Sequence, residues 1–494
     1  MQKETDYISF NQHLLKFQRY YNSNTVISTH NSIGNKWRHT YSRAIVSIQT
    51  PAVGGVTITN PTAALWRHDG QVITFKKISG NWVSDSDVPA TLVQLTDVNG
   101  NSTGWKYTTS DDEIEIYNAA GKLISIANRA GLTQSLLYDA NSRLSMVTDS
   151  FGHRLTLAYD TANRLSTLTD PAGGIYQYAY VANNNLATVT YPDDRVKTYL
   201  YNEQAYTSGT NHPHALTGII DERGIRYATY TYDTQGRATS TQHADGVEKI
   251  TLAYNTDGST TVTDSRGTAR TYTFQTILGV VKNAGVSQPC TSCSGSAIQS
   301  FTYDTNGNIA SKTDFSGVVT TYTYDLARNL ETSRTEAYGT PQARTITTTW
   351  STDFRLPAQI TEPSVYPGYS KVTTYTYDPY GNRLSETIQG YTPGGTAVSR
   401  TTSFQYNGPL HQLSRIDGPR SDVTDITTFD YYPDSTAEGN NRARLRRVTG
   451  PGGLMLRDNL QYSATGKVIS EQRPNGLTLT YSYYPGNDRL EKLT

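Results

Sequence analysis

Apolar residues recur along this chain at two periods at once. Over five or six residues they alternate with polar ones, as in Leu155, Leu157 and Tyr159, or Leu136 and Tyr138. Alternation places every second side chain on one face, so such runs predict β-strands. Over a longer span the runs themselves recur: Tyr117, Tyr138, Tyr159, Tyr180 and Tyr201 stand 21 residues apart with no slip. A fixed period of that length predicts a repeat array and outranks the local signals.

Each position of the unit has a physical reading. Four residues after the Tyr come Gly121, Ser142, Asn163 and Asn184, types that tolerate the positive φ of a tight hairpin turn. Leu123, Leu144, Leu165 and Leu186 then open a second short strand. Gly131, Gly152 and Gly173 mark the next turn, and the fourth copy breaks the rule at Arg195. One hairpin cannot bury its own apolar face, so the units are expected to pair side by side in one long antiparallel sheet. The Tyr suits that sheet because it brings a large apolar ring and a hydroxyl that can find a partner when half-buried. The unit returns at Tyr232, Tyr303, Tyr324, Tyr377 and Tyr462, with Gly317 and Gly476 at turn positions.

The period divides the chain. Residues 1–110 form a β entry region without it; 111–283 hold a first block of repeats; 284–300 are a loop rich in Cys, Gly and Ser; 301–494 hold a second block with loop insertions such as EPSVYPGYS and IQGYTPGGTAVSR. Insertions of this kind lie along one side of an array and make its specific contacts. Trp37, Arg38 and His39 read as a packed strand with an Arg stacked on an aromatic ring.

Composition sharpens the picture. Tyr occurs 37 times against 10 Phe and 3 Met, and 36% of residues are hydrophobic. That content is low for a filled globule of this size and suits a thin wall with two wetted faces. Lys and Arg total 43, as do Asp and Glu, so no global field favours nucleic acid or an acidic membrane. The opening MQKETDYISF has no apolar core for a secretory signal, and no run approaches 18 apolar residues. Export would therefore use a specialised secretion system or a longer polypeptide. The expected location is cytoplasmic before export and then secreted or at the cell surface.

Candidate chemistry is sparse. Asp149, Asp170, Asp264 and Asp314 recur once per unit, as turn formers do, whereas a catalytic pair occurs once. Asp111, Asp112, Glu113 and Glu115 read as a solvated strand face, with Ile114 and Ile116 on the other side. His212 and His214 read as a solvated loop. Cys290 and Cys293 are a loop staple or two free thiols before they are half a zinc site or a redox pair. Arg442, Arg444, Arg446 and Arg447 read as a solvated face or a charge ladder. No nucleophile elbow, H-E-x-x-H, P-loop or dinucleotide fingerprint is present. No catalytic, metal or cofactor-binding residue is expected.

The units YDTNGNIASKTDFSGVVTTYTYD and YDTANRLSTLTDPAGG resemble the YD repeats of the Rhs family, which includes bacterial polymorphic-toxin shells, the B and C components of Tc toxins, and the teneurins. LKFQRYYNS with KWRHTYS resembles the family's entry segment, and DERGIRYATYTYDTQGRATST at 221–241 resembles an early block of bacterial Rhs proteins. The resemblance runs from about residue 14 to 494. It implies an all-β strip that spirals into a hollow, non-catalytic shell around a C-terminal toxin or effector, for use in interbacterial competition. Lacking the family's D-P-x-G-L-x-G core motif and an effector domain, this chain is expected to form a partial shell, with that effector segment and secretion machinery as partners. The alternative is an adhesin or carbohydrate-binding module: solvent-facing Tyr stripes would favour it, rings packed between strands the shell.

Overall fold

The computed structural model describes residues 1–10, 15–24, 32–48, 61–290, 295–408, 410–484 and 489–494. Among them are forty-one β-strands and four short 3-10 turns. Three strands, β1 (Gln2–Ile8), β2 (Lys16–Tyr21) and β3 (Trp37–His39), make a small sheet of their own. From β4 (Ala44–Ile48) to the last strand, Leu490–Leu493, the chain is one long antiparallel meander in which neighbours in sequence are neighbours in space.

The strip is not closed. β4 pairs with Thr62–Trp66 on one side, and on the other its Ile45 N–H donates to the Gly121 carbonyl at 2.9 Å. Gly121 has φ 77°, and a Cβ on it would lie 1.8 Å from the Ile45 carbonyl oxygen. Only glycine fits at that approach.

Successive hairpin turns alternate between the two edges of the strip, and distant turns meet. Asn329 Nδ2 donates to the Ser86 carbonyl at 2.5 Å, and the Arg355 N–H donates to Asp112 Oδ2 at 3.2 Å, each across 243 residues. Arg442 reaches the Phe151 carbonyl at 3.2 Å, across 291 residues. Lys282 lies 3.8 Å from Asp87. The strip therefore spirals, and the second winding rests on the edge of the first along a mostly polar seam. One apolar patch interrupts that seam, where Leu132, Phe151 and Ala443 are buried with Leu410 against them.

Filling separates the windings. β1 to β3 sit inside the first winding as a plug: every residue from Phe17 to Tyr21 and from Trp37 to Tyr41 is buried. One apolar core runs from Phe17 and Trp37 through Leu157, Tyr178 and Tyr199 of the wall. Among the described residues beyond Tyr232 the buried apolar ones are Val286, Leu330, Ile346, Ala443, Val448 and Leu460. The thin, two-sided wall that composition implies thus describes the second winding, while the first is filled by the chain's own N-terminal strands.

Two details differ from the sequence reading. Glu115 is buried, not solvated. It lies two residues before Tyr117 on the same strand, so the pleat turns both inward and leaves Ile114 and Ile116 half-exposed. At the turn of the fourth unit the residue replacing glycine is Asp194, which takes φ 62°, rather than Arg195.

Candidate functional site: the inner wall and its plug

The recurring Tyr is fixed by one bond repeated along the strip. The ladder between Leu123–Ala127 and Thr133–Tyr138 runs from Ser125 with Ser135 to Ala127 with Thr133. The Leu123 carbonyl lies beyond it and accepts from the Tyr138 hydroxyl at 2.7 Å. Tyr159 does the same to Leu144, Tyr180 to Leu165 and Tyr201 to Leu186, at 2.7, 2.7 and 2.9 Å. Tyr232, Tyr303, Tyr324, Tyr377 and Tyr462 each donate to an earlier strand's carbonyl at 2.6 to 3.0 Å. A buried carbonyl left without a partner is costly, and the phenol removes that cost. Each Tyr also sits beside a bulge: Tyr159 faces Leu165 while Ala158 faces Thr167, skipping Ser166. Burial pushes these hydroxyls up, Tyr324 and Tyr462 to about 12.

The acid after the Tyr builds the turn. Asp160 Oδ1 accepts from the Ala162 and Arg164 N–H groups at 2.9 and 2.8 Å, and its other oxygen holds Arg164 Nε at 2.8 Å. The guanidinium so placed lies 4.5 Å from the centre of the Tyr180 ring in the next unit. Arg143 stacks on Tyr159 at 4.7 Å and Arg237 on Tyr254 at 4.3 Å. Each unit thus clamps its successor. Asp149, Asp170, Asp264 and Asp314 accept two backbone N–H groups each, at 2.8 to 3.0 Å. The turn glycines Gly131, Gly152, Gly173, Gly317 and Gly476 all have φ between 78° and 89°.

The plug holds the wall by polar contacts inside the core. Arg19 Nε lies 2.7 Å from Asp6 Oδ2, with both side chains fully buried. The Tyr178 hydroxyl donates to the same carboxylate at 2.8 Å. Burial alone would lower the Arg19 guanidinium, but Asp6 holds it well above its ordinary value. Trp37 and Tyr199 flank it at 5.3 and 5.2 Å. Around this pair, Lys197 meets Glu4 at 2.9 Å, Trp37 donates to the Tyr201 hydroxyl at 2.8 Å, and Tyr41 donates to Gln134 at 2.9 Å. Glu115 joins Arg67 at 2.6 Å and also bonds Arg43 and Tyr117.

The remaining sequence candidates fall into structural roles. His214 is half-buried, bonded to Asn185 at 2.7 Å, and its carbonyl accepts from Tyr21 of the plug at 2.8 Å. The loop is therefore a seat for the plug rather than a solvated segment. Arg444 is buried at the seam and donates to the Phe10 and Gly466 carbonyls at 3.0 and 3.1 Å, while Arg447 pairs with Asp458 at 2.8 Å. Cys290 ends a strand and is disulfide-bonded; Cys293 lies outside the described residues. His39 Nε2 lies 3.3 Å from Ser32 Oγ, but the Tyr41 N–H donates to His39 Nδ1 at 3.2 Å. That places the ring proton on Nε2, so the imidazole cannot take one from Ser32. Among the described residues no three His, Cys, Asp or Glu side chains are grouped to hold a metal ion. A cleft of about 1240 Å³ opens where β1, the turns at Asp170 and Asp221 and the strand Thr478–Tyr483 converge, with Tyr176, Tyr191, Tyr227 and Tyr481 among its walls.

Asp6 and Arg19, which sequence reasoning missed, and Glu115, which it read as solvated, share one sequence signal: a charge at a position that alternation turns toward the core, as in KFQRYY.

A strip of hairpins, each locked to the last by a tyrosine hydroxyl and wound around a plug, defines a β-repeat wall protein. The RHS Repeat model matches residues 138–175, 159–196 and 303–341, and the model for a Domain of unknown function (DUF6531) matches residues 1–75. These matches support an Rhs/YD-repeat family for this chain. Among solved structures, the TcdB2-TccC3 crystal structure is 14% identical over 86% of this chain and 23% of its own, with a TM-score of 0.47. The Photorhabdus luminescens Tc holotoxin pore is 12% identical over 97% of this chain and 31% of its own, with a TM-score of 0.49. The chain thus spans between 23% and 31% of the length of those chains.

Proposed function

We propose that this chain is a non-catalytic wall segment of an Rhs-type shell that encloses a polypeptide toxin or effector for delivery. The observation that carries the reading is the contrast between windings: the first is closed by a plug, and the wall of the second has few buried apolar residues beyond Tyr232. A wall stabilised strand to strand, without a filled core, can stand around a space. The tyrosine geometry supports the shell over an adhesin, because the repeat rings lie against neighbouring strands with their hydroxyls bonded to backbone, whereas a sugar platform presents free faces. Secretion by a specialised machine belongs to the same proposal. The test is to fuse an Rhs core and effector after Thr494 and follow protease resistance of the effector. Protection relative to the effector alone supports enclosure; an effector cleaved as fast as when free, with glycans binding the wall, overturns it.

A further inference from the structure

One charge in the plug stands apart from the rest. Every other buried charged side chain among the described residues meets a side chain of opposite type or, as Arg444 does, donates to backbone carbonyls. Arg38, 4% exposed, does neither. Its guanidinium lies over Trp66, 5.2 Å from the ring centre, and its N–H groups have no acceptor among the described residues. A guanidinium taken out of water without an acceptor is costly, so in a native fold it calls for a partner from outside the chain.

A second polar group beside it is in the same position. Arg38 stands opposite Tyr20 in the ladder between β2 and β3, and the Tyr20 ring meets that of His68 edge-on, with 4.7 Å between centres. His68 Nδ1 is buried and has no hydrogen-bond partner. Arg38 and His68 therefore flank one tyrosine, with Trp66 against the guanidinium. Trp66 and His68 are half-buried, as is the turn at Arg67–Gly70, which leaves a path from solvent. The carboxylate that acts on Arg38 is Asp69, but it forms no ion pair there and accepts from the Gln71 N–H at 2.9 Å. The local field is positive as a result. Burial lowers the Arg38 guanidinium despite Asp69, and burial followed by the charge of Arg43 lowers Lys16 and His68. Where the core does supply a carboxylate, as Asp6 does to Arg19, the guanidinium is raised instead.

We propose that Arg38 and His68 bind a small oxyanion, a phosphate or a carboxylate, and that the bound anion locks the plug to the first hairpin of the wall. Arg38 offers a planar fork of donors that matches two oxygens of either group. His68, neutral above about pH 4, can carry its ring proton on Nδ1 and add a further donor. Arg38 belongs to β3 of the plug, whereas Trp66 ends a strand of the wall and His68 follows it, so one ligand joins the two bodies. The site is separate from any enclosed space and stands whether or not the shell carries a cargo.

The test titrates the whole chain with inorganic phosphate, with acetate and with a blocked tripeptide carrying a central glutamate, each to about 10 mM at an ionic strength held constant with chloride. The urea midpoint and hydrogen exchange of the Trp37–His39 amides are read together. The expected result is a saturable rise in midpoint and at least tenfold slower exchange with one or more of the three. Phosphate acting alone identifies a free anion as the ligand; the tripeptide acting at lower concentration than acetate identifies an acidic side chain; either supports the site. Arg38→Met, which keeps an apolar stem on Trp66 and removes the fork, should abolish the response, and His68→Phe, which keeps a ring on Tyr20, should weaken it about tenfold. No saturable response to any of the three overturns the proposal, as does a response that survives Arg38→Met. Should Arg38→Met unfold the protein, Arg38→Lys keeps the charge without the fork: a response weakened at least tenfold supports the proposal, and an unchanged one overturns it.

Discussion

The hydroxyl of Tyr159 donates to the carbonyl of Leu144, fifteen residues earlier, at 2.7 Å. The bond crosses from one unit to the one before it, at the end of a ladder between neighbouring strands. Removing the ring and removing the hydroxyl should therefore cost different amounts. Tyr159→Ala loses packed ring area and should destabilise by about 3 to 5 kcal/mol, as large aromatic truncations in cores do. Tyr159→Phe loses one bond and should cost about 1 kcal/mol. Urea denaturation of both variants checks the difference, and equal, negligible effects would mean that the ring carries no packing.

Two turn glycines should respond unequally to the same change. Gly121→Ala forces a Cβ into the Ile45 carbonyl oxygen and must push β4 off the hairpin turn. Gly131 has a similar φ, 81° against 77°, but a Cβ there meets nothing within 4 Å. Gly131→Ala should cost about 1 to 2 kcal/mol, the left-handed backbone penalty alone. Gly121→Ala should cost more and speed exchange of the Ile45 amide, which Gly131→Ala should leave unchanged.

Acid should loosen the plug through His39. Burial, followed by the charges of Arg38 and His68, lowers its pKa to about 3. Between that value and the ordinary one near 6.5 the unfolded chain binds a proton that the folded chain does not, so stability falls as pH drops through this window and is fully present above it. His68, lowered to about 4 mainly by burial, adds in the same direction. His39→Phe keeps a ring beside Phe17, which stacks on His39 at 4.9 Å, and should flatten the dependence. Denaturation midpoints of both proteins from pH 7.5 to 4.5 test this; parallel curves would exclude His39 as a source.

The seam should be the weakest joint of the fold. Asp112 accepts from the Arg355 N–H at 3.2 Å and lies 3.6 Å from Arg129. Such partly exposed pairs contribute about 0.2 to 1 kcal/mol each and are screened by salt. Asp112→Ala, or high salt, should speed exchange at Arg355 while leaving Tyr178 and the plug unaffected. Loss of protection in the plug at the same salt would show that the windings and the plug open as one unit.

The strand, turn and pairing pattern was legible because each is local: period two gives strands, positive-φ residue types give turns, and a 21-residue Tyr register gives neighbours. The plug was not legible. Apart from the charge of Arg19 at an inward-facing position, nothing local distinguishes β2, KFQRYY, from a strand of the wall; it lies inside the winding because Arg19 finds Asp6, Tyr178 and Tyr199 there. Glu115 was misread because a cluster of four acids resembles a wetted face, although its parity with Tyr117 already turned it inward. The seam was hidden for a different reason. Its partners are 243 and 291 residues apart, and each of these contacts has a backbone group on one side, the Arg355 N–H or the Phe151 carbonyl, which carries no trace in residue identity.

Between Ser86 and Arg355 the 243-residue spacing is shared by two contacts, so the circumference there is fixed by counting. Ser86 meets Asn329 and Asp112 meets Arg355 at the same separation, so the two windings are in phase like meshed teeth. One further unit inserted between Asp112 and Asn329 would carry each later tooth past its socket and bring Asn329 and Arg355 out of reach of their partners. The same unit placed before Ser86 or after Arg355 would disturb neither. Lineages that lengthen such a chain by duplication should therefore tolerate growth near its ends, while gains within one circumference must be matched by equal losses.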